Sequence, residues 1–156
     1  MTLAQLVKII EEIAAAQPAV ATIVPNDVFA LNSYAETKYG VFAWTQGEHS
    51  GGLERYANGF RFTFFYVDRL TDDASNRLEV QSVGIETLGN VLRALGREFE
   101  MSEWTYVTFN QRFADSCAGV YAQVTIYAPV TTSCVDLTGG PDEPGDFSPD
   151  FSRDFD

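Results

Sequence analysis

The chain has 156 residues, a formal charge of −12, and a composition that is 46% hydrophobic and 13% aromatic. That length suits one domain able to bury about 70% of its unfolded surface, and the composition is that of a packed protein rather than a disordered one. The negative charge argues against a nucleic-acid binder, which draws its affinity for phosphates from Lys and Arg, and against docking on an anionic membrane surface.

Residues 2 to 16 read as a helix. Thr2 and Gln5 are spaced as a capping box, Leu3, Leu6, Val7, Ile10, Ile13 and Ala14 form an apolar stripe, and Pro18 stops it. Glu11 and Glu12 interrupt the apolar residues and no basic stretch precedes them, so no signal peptide is expected. No apolar run reaches the roughly 18 residues of a membrane span. Both points lead to the expectation of a protein made in a cytoplasm, without a membrane partner.

A short strand is expected over Val20 to Val24, then a turn at Pro25-Asn26-Asp27, and a short strand or extended loop at Val28 to Leu31. Tyr39 to His49 reads as a strand apolar on both faces, to be covered by a helix on one side and by a neighbouring subunit on the other. Gln46 to Asn58 holds Gly47, Gly51 and Gly52 among Glu48, His49, Glu54 and Arg55, the pattern of a projecting hairpin arm or a mobile loop between strands. The following strand puts Phe60, Phe62, Phe64 and Tyr66 on one face, because strand side chains alternate.

A long helix should run from the Thr71-Asp72-Asp73 start signal to Gly96, with Leu78, Ile85, Leu88, Leu92 and Leu95 as its core face. Val80, Val83 and Val91 widen its apolar surface, and Gly84 and Gly89 would admit a close approach by a strand or another chain. Val80, Gly84 and Val91 are therefore candidates for a packing surface shared with a neighbour. Trp104 to Phe113 and Val120 to Val130 complete the pattern, joined by a turn over Ala114 to Gly119. In the last strand Val120, Ala122, Val124, Ile126 and Ala128 alternate inward. The expected fold class is α+β: an antiparallel sheet of about 4–5 strands with two helices packed on one face, in the order α-β-(β)-β-β-α-β-β.

The expected domain spans 1–135, followed by an acidic tail, 136–156, whose seven acids face one base, Arg153. Three prolines in the tail exclude a regular helix, yet Asp146-Phe147, Asp150-Phe151 and Asp154-Phe155 repeat every four residues. Such pairs suit a peptide that docks on a partner, the rings filling pockets and the acids meeting bases. Folding back on its own domain is the other reading.

No catalytic constellation stands out. His49 is the sole histidine, and with Cys117 and Cys134 it falls short of a zinc site. The two cysteines form no metal or redox motif and read as small structural thiols. No enzyme activity, metal or cofactor is expected.

Four stretches taken together carry a resemblance: Tyr39-Gly-Val-Phe-Ala-Trp-Thr-Gln-Gly-Glu-His49, Phe62-Thr-Phe-Phe-Tyr-Val-Asp-Arg-Leu-Thr71, Glu79-Val-Gln-Ser-Val-Gly-Ile-Glu-Thr-Leu88, and Phe109-Asn-Gln-Arg-Phe-Ala-Asp-Ser-Cys-Ala-Gly-Val-Tyr121. They resemble small virion proteins of tailed bacteriophages of gut Bacteroidales, the crAss-like group and related prophages. The likeness covers roughly residues 3 to 130 and leaves out the tail. The element order is also similar to tail-terminator and tail-completion proteins, a likeness at the level of fold alone.

The resemblance implies a non-enzymatic structural protein of the virion, assembled in a bacterial host's cytoplasm. It would form a homo-oligomeric ring, six- or twelve-fold, at the head–tail junction or in the tail. Its partners would be other copies of itself and the adjacent neck or tail proteins, with DNA only as a passing genome repelled by the acidic surface. Glu48, His49, Gly51, Gly52, Glu54 and Arg55 would then be an inter-subunit arm. A different class of reading stays beside it: a monomeric cytoplasmic adaptor or binding module whose acidic tail captures a basic partner.

Overall fold

The aromatic alternation from Phe60 onward becomes a central strand of a six-stranded sheet in the computed structural model, which describes residues 1–26, 38–51, 57–112 and 116–129. The elements are α1 (Leu3–Ala15), β1 (Thr22–Pro25), β2 (Val41–Ser50), β3 (Ala57–Arg69), α2 (Arg77–Leu95), β4 (Glu100–Met101), β5 (Tyr106–Arg112) and β6 (Ser116–Pro129). The sheet order is β1-β2-β3-β6-β4, and β5 pairs with β6 along the same border as β4. Only β1 runs parallel to its neighbour; the other pairings are antiparallel.

This is the expected α+β class, with differences in detail. The sheet has six strands rather than 4–5, because Glu100–Met101 forms a strand too short to leave a periodicity. Of the two readings of Gln46 to Asn58, hairpin arm or loop, the described residues form the hairpin: β2 continues to Ser50 and β3 begins at Ala57. A bulge between Gln46 and His49 inserts the extra residue that the polar, Gly-containing sequence suggested as an arm. Likewise Ser116 to Gly119, expected as turn, already pairs with β5. The segment Val28 to Leu31 and the tail from 136 onward lie outside the described residues.

Register decides which side chains meet. Phe42 lies opposite Tyr66, Trp44 opposite Phe64, and Phe64 opposite Ala122, so even-numbered residues of these strands share one face. Phe60, Phe62, Phe64 and Tyr66 are buried there, as the alternation indicated. Phe62 and Phe64 stack at 5.7 Å between ring centres, and Trp44 meets Phe62 edge-on at 6.0 Å. Both helices cover this face: Leu6, Ile10 and Ala14 from α1 join Leu88, Val91, Leu92 and Leu95 from α2 in one core.

α1 forms as its sequence dictates. Gln5 N–H donates to Thr2 Oγ1 at 3.2 Å and Thr2 N–H donates to Gln5 Oε1 at 2.8 Å, which satisfies two of the helix's open backbone donors. Trp44 Nε1 donates to Glu11 Oε1 at 3.2 Å, so a buried indole ties α1 to β2 with its one polar group satisfied.

α2 departs from expectation at its start and in its orientation. It begins at Arg77, with Asn76 as an N-cap that makes no side-chain capping bond. Asn76 serves the preceding loop instead: Thr71 N–H donates to its Oδ1 at 3.0 Å, and its Nδ2 donates to the Arg69 carbonyl at 3.2 Å. Leu78 and Ile85, expected in the core, are 72% and 40% exposed, while Val80, Gly84 and Val91 are buried. The glycines explain this rotation. A Cβ at Gly84 would stand 3.0 Å from both the Tyr66 ring and the Val120 side chain, and one at Gly89 would stand 3.0 Å from the Tyr106 hydroxyl. The glycine edge lets the helix sit close on the sheet, and the larger Leu78 and Ile85 are turned away.

Candidate interaction surfaces

Three regions of the described residues could recognise something. The first is the sheet face away from the helices. Odd-numbered residues of β2, β3, β5 and β6 point there, as does Val24 of β1, which pairs with Ala43. Val24, Val41, Ala43, Val67 and Cys117 form a second buried cluster under Tyr39, Phe65 and Phe109. Gly119 makes the cluster possible, since a Cβ there would strike the Tyr66 carbonyl oxygen and stand 2.7 Å from the Phe109 ring. Phe109 therefore lies over a bare backbone. Tyr121 flanks it at 6.3 Å and Phe65 at 6.5 Å between ring centres. All three rings are half-buried, and Val107 beside them is 41% exposed. The expected second cover of β2 is met in part within the chain itself, because Val41 and Ala43 belong to this cluster.

The second region is the outward side of α2. Leu78 and Ile85 stand two turns apart, with Ser82 between them, its hydroxyl donating to the Leu78 carbonyl at 2.7 Å. Seven-residue spacing aligns them on one stripe. Arg93, farther along, donates to Asn90 Oδ1 at 2.7 Å rather than to a carboxylate. The ion pair between Lys8 and Glu12 at 3.8 Å is an exposed pair within α1 and adds little to stability.

The third is a cleft of about 320 Å³ where β3 turns into α2, lined by Leu70, Thr71, Asp72, Ala74, Arg77, Asn110, Ser116 and Cys117. The loop beside it is a hydrogen-bonded unit. Ser75 N–H and the Thr71 hydroxyl both donate to Asp73 Oδ1, at 3.1 and 2.8 Å, and these bonds, the backbone one first, lower the Asp73 pKa to about 2. Asp73 is thus occupied in holding the loop. Tyr66 has its pKa raised, first by burial and then by Asp68, to which its hydroxyl donates at 3.4 Å. A tyrosine held neutral in this way is a core group, not a nucleophile.

The sequence-derived candidates are scattered among these regions. Val80, Gly84 and Val91 pack against this chain's own core. Of the arm, Glu48, His49 and Gly51 are exposed at the far end of the β2–β3 hairpin, with the His49 ring edge-on to Phe60 at 5.3 Å. Gly52, Glu54 and Arg55 lie outside the described residues, as do Cys134 and the whole set Asp146, Phe147, Asp150, Phe151, Asp154 and Phe155. Leu78, Ile85 and Val107 were missed as surface residues. Nothing in the helix periodicity marks Leu78 and Ile85 as exposed; the signal was the glycine pair, which shows where the close face must be.

Among the described residues no group of three His, Cys, Asp or Glu side chains could hold a metal ion, and no helix is long and apolar enough to cross a membrane. No model of a known protein family matches the chain, and no curated protein matches it.

Proposed function

We propose that the chain is a non-enzymatic structural subunit of a tailed bacteriophage. In this reading it assembles with copies of itself into a ring at the head–tail junction or in the tail, as a connector, tail-terminator or tail-completion protein. The observation that carries it is the outward stripe of α2, where Leu78 is 72% and Ile85 40% exposed. Fully burying an exposed Leu or Ile side chain is worth about 1.5–3 kcal/mol, a gain that falls mainly to Leu78 because Ile85 is already more than half covered. Val107 lies on the other layer, so the two apolar sites face different directions, as a subunit with a neighbour on each side requires. The family resemblance and the acidic charge, which would let a genome pass without adhering, support the same reading.

Imaging or native mass measurement of the full chain should show closed rings. A chain that stays monomeric when concentrated, both alone and with neck proteins, would sink the proposal. Removing residues 136–156 separates it from the adaptor alternative. A ring subunit still self-assembles without the tail, whereas an adaptor loses its basic partner.

A further inference from the structure

Among the described residues the sheet has two free borders, and they are unlike. β1 is four residues long and ends at Pro25, which has no N–H to offer a neighbouring strand. It is blunted as sheet edges commonly are. β5 is seven residues, Tyr-Val-Thr-Phe-Asn-Gln-Arg, without proline, lysine or acid. Its residues are rich in the aromatic and β-branched types that suit strands. It pairs with β6 on one side, and among the described residues its outward backbone groups have no backbone partner. β4 shares this border but the ladder is interrupted after Ser102, whose N–H donates to the Thr125 carbonyl at 2.9 Å while its Oγ, in place of a backbone oxygen, accepts from Thr125 N–H at 2.9 Å.

We propose that β5 is a pairing edge and that its occupant is the β5 strand of a second copy, running antiparallel about a two-fold axis at Phe109. The strand is complementary to itself in that register. Thr108 falls opposite Asn110, Val107 opposite Gln111 and Tyr106 opposite Arg112, so no like charges meet. Phe109 meets its own copy on the open sheet face, which extends the Phe65–Phe109–Tyr121 cluster across the axis and covers Val107, now 41% exposed. The chain's negative charge does not oppose the contact locally, since β5 holds no acid. The acidic tail is a poor occupant for this edge: Pro141, Pro144 and Pro149 lack the N–H groups a ladder needs. The contact does not rest on the ring reading. An isologous pairing closes at two copies, and a ring requires a separate, heterologous contact.

The test is the association state of the full chain by sedimentation, for the wild type, T108K/N110K and T108K/N110E. Both side chains are exposed, so the core is left alone, and circular dichroism checks that each variant is folded. The wild type is expected to dimerise. T108K/N110K, which sets lysine opposite lysine twice, should dimerise about tenfold more weakly. T108K/N110E should recover, because each lysine then faces a glutamate. Amide hydrogen exchange in β5 of the wild type should slow as concentration rises, a reading that needs no variant. A wild-type monomer at the highest soluble concentration overturns the proposal. So does a dimer indifferent to T108K/N110K, or one that T108K/N110E fails to restore. Rings that form regardless of both variants overturn the edge and leave the ring reading standing. A responsive dimer that never grows supports the edge and counts against the ring.

Discussion

The two helices lie side by side on one face of the sheet and are built on different plans. α1 is a stripe helix: Leu6, Ile10 and Ala14 face inward and a capping box fixes its start. α2 presents a glycine edge, burying Gly84, Thr87 and Gly89 among larger residues, and leaves Leu78 and Ile85 in solvent. Apolar spacing identifies the buried face of α1, and on α2 it finds Leu88, Leu92 and Leu95 but misplaces Leu78 and Ile85. Where a helix sits close on a sheet, the smallest residues mark the contact. The difference also bears on function, because only α2 keeps an apolar surface to spare.

Substitutions can break this comparison. Leu88→Ala empties a fully buried position beneath α2 and should cost about 3 kcal/mol, whereas Leu78→Ala, on the same helix, should stay within about 0.5 kcal/mol. Urea unfolding of the two variants measures both, and equal losses would mean that α2 faces the other way. Gly84→Val inserts a branched side chain where even a Cβ would stand 3.0 Å from Tyr66 and Val120. It should cost about 2 kcal/mol through overpacking, with a drop in melting temperature as the readout. A neutral outcome would show that the helix can slide away from the sheet. A smaller loss than at Leu88 or Gly84 is expected at Thr2→Ala, which removes the capping acceptor of α1 and should cost about 1 kcal/mol. Loss of helical signal confined to the first turn, read by hydrogen exchange, would show the cap acting locally.

The same contrast shows how far the sequence could be read. The aromatic face of β3 and the inward row of β6 were legible because a period of two leaves no choice of face once one side is apolar. The capping box of α1 was legible because both partners lie within four residues. The arm was legible only as a choice between a hairpin arm and a loop: a bulge and a few polar residues look the same either way when the partner strand is out of view, and the structure pairs Gln46, His49 and Ser50 with β3. The candidate surface was the least legible part. Val80, Gly84 and Val91 look the same in sequence whether they meet a neighbour or this chain's own sheet, since burial is a property of what lies opposite.

The chain's local patterns by themselves determined the α+β class, the first helix with its cap, the central aromatic strand and the acidic, proline-interrupted character of the tail. Each rests on residues close together along the chain or on strict alternation. Only the tertiary structure decided the rotation of α2, the parallel placement of β1, the packing of Phe109 over Gly119, and the unequal borders formed by Pro25 at one edge and by β5 at the other. These depend on contacts between residues far apart in sequence, and such contacts leave no periodic trace in either partner alone.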